Sequence, residues 1–301
     1  MVALPAFIAA QLPDGGRSHE IATGGEVLHA FSHGPDAGKT LVLVHGNPTW
    51  SFLWRKVIAA IRARAPELRI VAPDLVGLGL STKPGMHAHS IANHGAWLGG
   101  LLDQLAPGPA VLVAQDWGGP IGLRAYCDRR ARLRGIVLGN TAVSPPAADF
   151  VPTLFHRLSQ LPVASDLLFR GLGFPLGLLH TSQGDRATIR GDVARAYRWP
   201  LRHLKDRAAP LALARMVPDA QTHPSVAELA KTEALFASAP VPVALVWGMR
   251  DPILGRALTR TARLRSDAIV TRTQAGHFLQ EEVPDALADS ILEVAARADW
   301  S

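Results

Sequence analysis

Cysteine is nearly absent from this chain. Cys127 is the single thiol in 301 residues, which excludes internal disulfides and any metal cage built from cysteines; it reads as a small core residue on a helix. No apolar run reaches the roughly eighteen residues of a membrane span. The opening residues, Met1 to Ala10, are apolar but carry no positive charge, and Pro5 interrupts them. They read as a segment packed on the body of the protein, not as a signal peptide. Basic residues outnumber acidic ones by 31 to 25, yet the arginines are scattered along the chain and no basic tract is interleaved with aromatics. Nucleic acid is therefore not an expected partner, and the absence of a spanning run leaves no membrane expected as a partner either. Repeats and low-complexity tracts are also lacking. What remains is a soluble, cytoplasmic protein expected to work without cofactor or metal.

The chain is rich in apolar residues, at 48%, enough for a large core. Its length suits one large α/β domain with an insertion, or two small domains. Residues 17–32 read as strand, Gly24-Gly25 turn and strand. Buried strands follow at Thr40–Val44, Ile70–Ala72, Val111–Gln115 and Gly135–Leu138, alternating with helical patterns over 51–64, 90–105 and 120–130. From 143 to 224 the pattern changes to short helical pieces broken by Pro145, Pro146, Pro152, Pro162, Pro175, Pro200, Pro210 and Pro218. Apolar residues here, such as Phe150, Phe155 and Phe169, either line a pocket or hold the insertion together. Strand–helix alternation resumes at Val241–Trp247 and ends in a helix over 284–297. The implied organisation is a mostly parallel sheet with helices on both faces, built from residues 1–142 and 225–301, and a helical insertion at 143–224.

One stretch carries the candidate chemistry. Val111-Leu-Val-Ala-Gln-Asp116-Trp117-Gly118-Gly119-Pro120 runs from buried strand through a tight turn into a helix. A strand–turn–helix unit with one reactive side chain at its apex is a nucleophile elbow. Here the apex is Asp116, which would attack as a carboxylate and form an ester. The alternative is an ordinary turn in which Asp116 caps the helix. Two further residues follow later strands: Asp251, in Trp247-Gly-Met-Arg-Asp251-Pro252, and His277, in Ala275-Gly-His277-Phe278. Each has an unremarkable reading, as a turn residue or a buried loop histidine. Together, in the order nucleophile, acid, histidine at strand ends, they match a hydrolase triad.

The segments His45-Gly46-Asn47-Pro48-Thr49-Trp50-Ser51-Phe52-Leu53-Trp54-Arg55, Pro73-Asp74-Leu75-Val76-Gly77-Leu78-Gly79, Gln115-Asp116-Trp117-Gly118-Gly119 and Gly276-His277-Phe278 resemble those of haloalkane dehalogenases. The resemblance implies the α/β-hydrolase fold with a helical cap inserted after the sixth strand. It also implies hydrolysis of haloalkanes to alcohol, halide and proton through an aspartyl-alkyl ester. Asp116 would be the nucleophile, His277 the base and Asp251 the acid. The backbone N–H groups of Asn47 and Trp117 would form the oxyanion hole, and their side chains would bind halide. Otherwise Trp117 is a core aromatic and Asn47 a turn residue. Some family members place a Glu where Asn140 stands, which a neutral amide cannot replace, so Asp251 is the expected acid. Trp199 in the cap is a further halide-donor candidate. Expected partners are a halogenated small molecule, water and halide, with a homo-oligomer also open.

Other readings compete. An epoxide hydrolase shares the nucleophile but needs phenolic donors in the cap, and the chain has only Tyr126 and Tyr197. Dehalogenation of a haloacid would need an arginine clamp from Arg157, Arg170, Arg186 or Arg198. Asp116 argues against a serine esterase, and a non-catalytic binding module would lack a use for the triad.

Overall fold

The computed structural model describes residues 3–147, 149–151 and 154–301. Eight strands form one sheet: β1 (Arg17–Thr23), β2 (Glu26–His33), β3 (Thr40–Val44), β4 (Arg69–Pro73), β5 (Ala110–Gln115), β6 (Leu133–Gly139), β7 (Val243–Gly248) and β8 (Ile269–Thr273). Their spatial order is β1-β2-β4-β3-β5-β6-β7-β8. The first two pairings are antiparallel and all others parallel. Sequence character follows position. The central β3, Thr-Leu-Val-Leu-Val, and β5, Ala-Val-Leu-Val-Ala-Gln, are buried throughout, as strands covered on both faces must be. Edge strand β1 alternates between exposed and half-buried residues. Gly24 and Gly25 join β1 to β2 with φ of 57° and 84°, the left-handed pair a two-residue hairpin requires.

Helices cover both faces. Ile91–Leu105, capped by the Ser90 hydroxyl, and Gly118–Cys127 pack Leu98, Leu102 and Ile121 on one side. Arg55–Arg64 and Pro284–Arg297 pack Val57, Ile61, Ile291 and Val294 on the other. Cys127 ends its helix half-buried at the edge of the core instead of inside it, because the helix stops there. The N-terminal turn Ala6–Ala9 does pack on the body: Ile8 is buried beside Trp50, Phe52 and Tyr197.

The insertion lies between β6 and β7 and contains short helices, among them Leu154–Gln160, Gly191–Arg198 and Ala208–Arg215. Pro152 and the side chain of Phe155 lie outside the described residues. Two buried ionic groups fix the surroundings of the site. Arg55 makes a bidentate bond to Glu281, at 2.5 and 2.9 Å, and the Tyr197 hydroxyl donates to the same carboxylate at 2.6 Å. The group joins a main-domain helix, the C-terminal segment and the cap. Asp74, wholly buried, accepts from the backbone of Ser51 and Leu80 and pairs with His29 at 2.9 Å. These bonds hold its pKa below the usual carboxylate range against the cost of burial. Other histidines are structural too. His89 and His94 share a 2.9 Å hydrogen bond in the core, and burial drives His89 down to about 4.

Candidate active site

The parallel strands deliver their chemistry at their carboxyl ends. His45-Gly46-Asn47 follows β3, Asp116 follows β5, Asn140 follows β6, Asp251 follows β7 and His277 follows β8. Asp116 has φ of 52°, a left-handed conformation uncommon outside glycine, asparagine and aspartate. Helix Gly118–Cys127 has no side-chain cap; its N-cap residue is Trp117. Asp116 is therefore not a capping residue. Its Oδ1 accepts from the backbone N–H of Asn47 at 2.7 Å. Gly46 makes this approach possible, since a Cβ there would collide with Asp116 Oδ1.

The three titratable residues named from the sequence come together. His277 Nδ1 lies 2.8 Å from Asp251 Oδ2, and its Nε2 lies 3.7 Å from Asp116 Oδ2. The second distance is too long for a hydrogen bond, so Nε2 is not occupied by the carboxylate. His277 and Asp251 side chains are almost completely buried, while Asp116 keeps 15% of its side chain exposed. Burial pushes the Asp116 carboxyl up, opposed by His277 and by the N–H groups of Trp117 and Asn47. Burial also works against protonation of His277, but Asp251 and then Asp116 outweigh it and leave its pKa raised. Asp251 is lowered, because His277 and Asn140 together overcome its burial.

Two residues without an assigned role complete the arrangement. Asn140 donates through Nδ2 to Asp251 Oδ2 at 2.7 Å and to Gly248 O at 3.0 Å, and its Oδ1 accepts from Gly248 N at 2.7 Å. The amide thus fixes the acid across two strand ends. Gln115 directs Nε2 to the His277 carbonyl at 3.1 Å and lies 3.3 Å from His277 Nε2. Its place before the apex of the elbow was the only sequence signal for it.

The candidate halide residues differ in availability. The Trp117 indole N–H has no hydrogen-bond partner among the described residues, and the residue is 8% exposed. Asn47 Nδ2 donates to the cap carbonyl of Pro210 at 3.0 Å, and its Oδ1 is buried without a partner. One amide hydrogen remains. Trp199 lies elsewhere, with the Trp50–Phe52–Tyr197 cluster and with Arg202 stacked 4.5 Å from its ring.

Known proteins resemble the chain over nearly its whole length. Residues 39–284 match the family described as alpha/beta hydrolase fold. Haloalkane dehalogenase 2 of Mycobacterium tuberculosis is 34% identical over 88% of this chain and 90% of its own. The chain belongs to the haloalkane dehalogenase family. A family relative from Mycobacterium marinum is 31% identical over 88% of this chain and 87% of its own. Among solved structures, haloalkane dehalogenase DbeA from Bradyrhizobium elkani superposes with a TM-score of 0.82 at 25% identity, covering 93% of this chain and 98% of that one. The family fold is thus the one expected from the motifs, with the insertion after the sixth strand.

Proposed function

We propose that the protein is a haloalkane dehalogenase in which Asp116 is the nucleophile, His277 the base and Asp251 the acid. The observation carrying this reading is the orientation of His277: Nδ1 is bonded to Asp251 while Nε2 faces the carboxylate at the apex of the elbow. With Oδ1 held by the Asn47 N–H, Asp116 Oδ2 is the oxygen left to attack. It forms a C–O bond to the halogen-bearing carbon as the C–X bond breaks, and the halide leaves with the electron pair. His277 Nε2 then takes a proton from water, whose oxygen adds to Asp116 Cγ. The resulting oxyanion develops on Oδ1, where the N–H groups of Asn47 and Trp117 stabilise it. Breakage of the ester C–O bond at Cγ releases the alkoxide, which takes the proton from His277 and leaves as the alcohol; Asp116 is left as the carboxylic acid and returns to the carboxylate by releasing the second water proton to solvent. Asp251 stabilises the imidazolium in between. The Trp117 indole N–H is the primary halide donor, with the remaining Asn47 amide hydrogen as the second.

Competing chemistries lack their donors. Tyr197, needed as an acid by an epoxide hydrolase, is buried and donates to Glu281. Tyr126 is buried on the helix behind the elbow. Of the arginines considered for a haloacid clamp, Arg170 pairs with Asp166 on the cap and Arg198 is exposed. The test is the ester itself. His277→Gln treated with 1,2-dibromoethane should gain a covalent adduct on the Asp116 peptide, seen by mass spectrometry. Failure to trap any haloalkane, with an adduct formed from styrene oxide, would overturn the assignment.

A further inference from the structure

The cap exposes what the rest of the molecule buries. Eleven large apolar residues are strongly exposed among the described residues, and eight of them lie between 151 and 204. Val163 is 80% exposed, Leu172 76%, Leu167 64% and Leu204 61%. The same region holds most of the net charge. Residues 143–224 carry ten Arg and Lys against six Asp and no Glu, a net +4 of the chain's +6.

The two features share a surface. Leu167 N–H bonds to Val163 O and Leu172 N–H to Leu167 O, so the apolar side chains follow one winding segment. Arg207 clamps that segment by donating to the carbonyls of Arg170 and Gly171 at 3.0 and 3.1 Å. Leu172 and the side chains of Arg195, Arg198, Arg202 and Arg207 line one open cavity of about 510 Å³, whose lining contains no acidic residue. Arg195 pairs with Asp192. Among the described residues Arg198 and Arg202 have no carboxylate partner; each donates to a backbone carbonyl, and both are exposed.

We propose that this outer face of the cap docks on an anionic phospholipid surface. Projecting Leu and Val side chains enter the boundary between headgroups and acyl chains, and the arginines meet lipid phosphates, for which planar guanidinium groups suit bidentate bonding. The Arg-lined cavity receives one such phosphate. Charge decides against a second copy of the chain as the occupant, since a two-fold contact through this face would set cationic rims against each other. The sequence expectation of no membrane partner rested on the absence of a spanning run; no helix among the described residues is long and apolar enough to cross a membrane, and docking needs none. The inference is independent of the reaction proposed above.

Flotation of the full chain with vesicles tests it. The protein should float with phosphatidylcholine–phosphatidylglycerol vesicles and not with phosphatidylcholine alone, and high salt should weaken the association. Arg198→Glu/Arg202→Glu should lower partitioning by on the order of a hundredfold. Leu167→Ser/Leu172→Ser, which keeps the charge, should lower it about tenfold. Unchanged thermal melting shows that each variant is folded. Equal flotation with both vesicle types, or flotation unchanged in both folded variants, overturns the proposal. So does a wild-type chain that ignores vesicles but self-associates in light scattering through the two leucines.

Discussion

The floor of the site and the cap above it solve opposite problems. On the floor, each strand ends in a residue whose side chain is bonded to a neighbour: Asp74 to His29, Asp116 to the Asn47 amide, Asn140 to Asp251, Asp251 to His277. The buried polar groups there are bonded in small sets, which fix each side chain in low dielectric surroundings. The cap is made of short helices interrupted by proline, places leucines in solvent and leaves most of its arginines exposed. It meets the site through the Pro210 carbonyl over Asn47, and through Ser182 and Gln183, which accept from the backbone N–H groups of His277 and Phe278. The contrast teaches that the floor commits its polar side chains to bonds between distant segments, while the cap leaves apolar and cationic side chains facing water.

The largest effect should come from the ionic group that joins the two regions. Glu281→Ala leaves the Arg55 guanidinium buried without its carboxylate and frees the Tyr197 hydroxyl. A loss of about 3–5 kcal/mol in unfolding free energy is expected from denaturant melts; a loss under about 1 kcal/mol would show that cap and floor are not joined there. Next comes Asn140→Ala, which removes the donor that orients Asp251. Ester hydrolysis should slow by roughly tenfold to a hundredfold, with the alkylation burst retained in rapid-quench kinetics. In the parent enzyme the hydrolysis step should fail as pH falls, because protonated His277 is no longer a base. In the free enzyme Asp251 and then Asp116 hold the His277 pKa up; the ester removes the Asp116 charge, so the midpoint for hydrolysis should lie below that for His277 in the free enzyme, and a midpoint above it would contradict the Asp116 contact. The smallest effect belongs to the cap surface: Leu204→Ser should shift unfolding free energy by no more than about 0.5 kcal/mol in denaturant melts, since the side chain is already in solvent.

Much of this was legible in the residues. Uninterrupted runs such as Leu41 to Val44 have one stable placement, inside a sheet covered on both faces, and the positions after such runs are the carboxyl ends where side chains converge. Asp116, Asp251 and His277 could therefore be named as a group from their order alone. Composition and periodicity do not report pairwise geometry. Asn140 was recognisable as unfit to be the acid, yet its hold on Asp251 depends on the register that sets β6 beside β7. Tyr197 looked available to the pocket until its hydroxyl was found on Glu281, 84 residues away in the chain. Asn47 looked like a plain halide donor, but half of its amide faces the Pro210 carbonyl.

Local sequence thus determined the strands, the elbow and the identity of a carboxylate at its apex, because burial and tight turns depend on neighbours along the chain. Tertiary structure decided which oxygen of that carboxylate is free, which nitrogen of His277 faces it, and which apolar side chains of the cap meet water. Those depend on contacts between segments far apart in sequence, which only the closed fold brings within hydrogen-bonding distance.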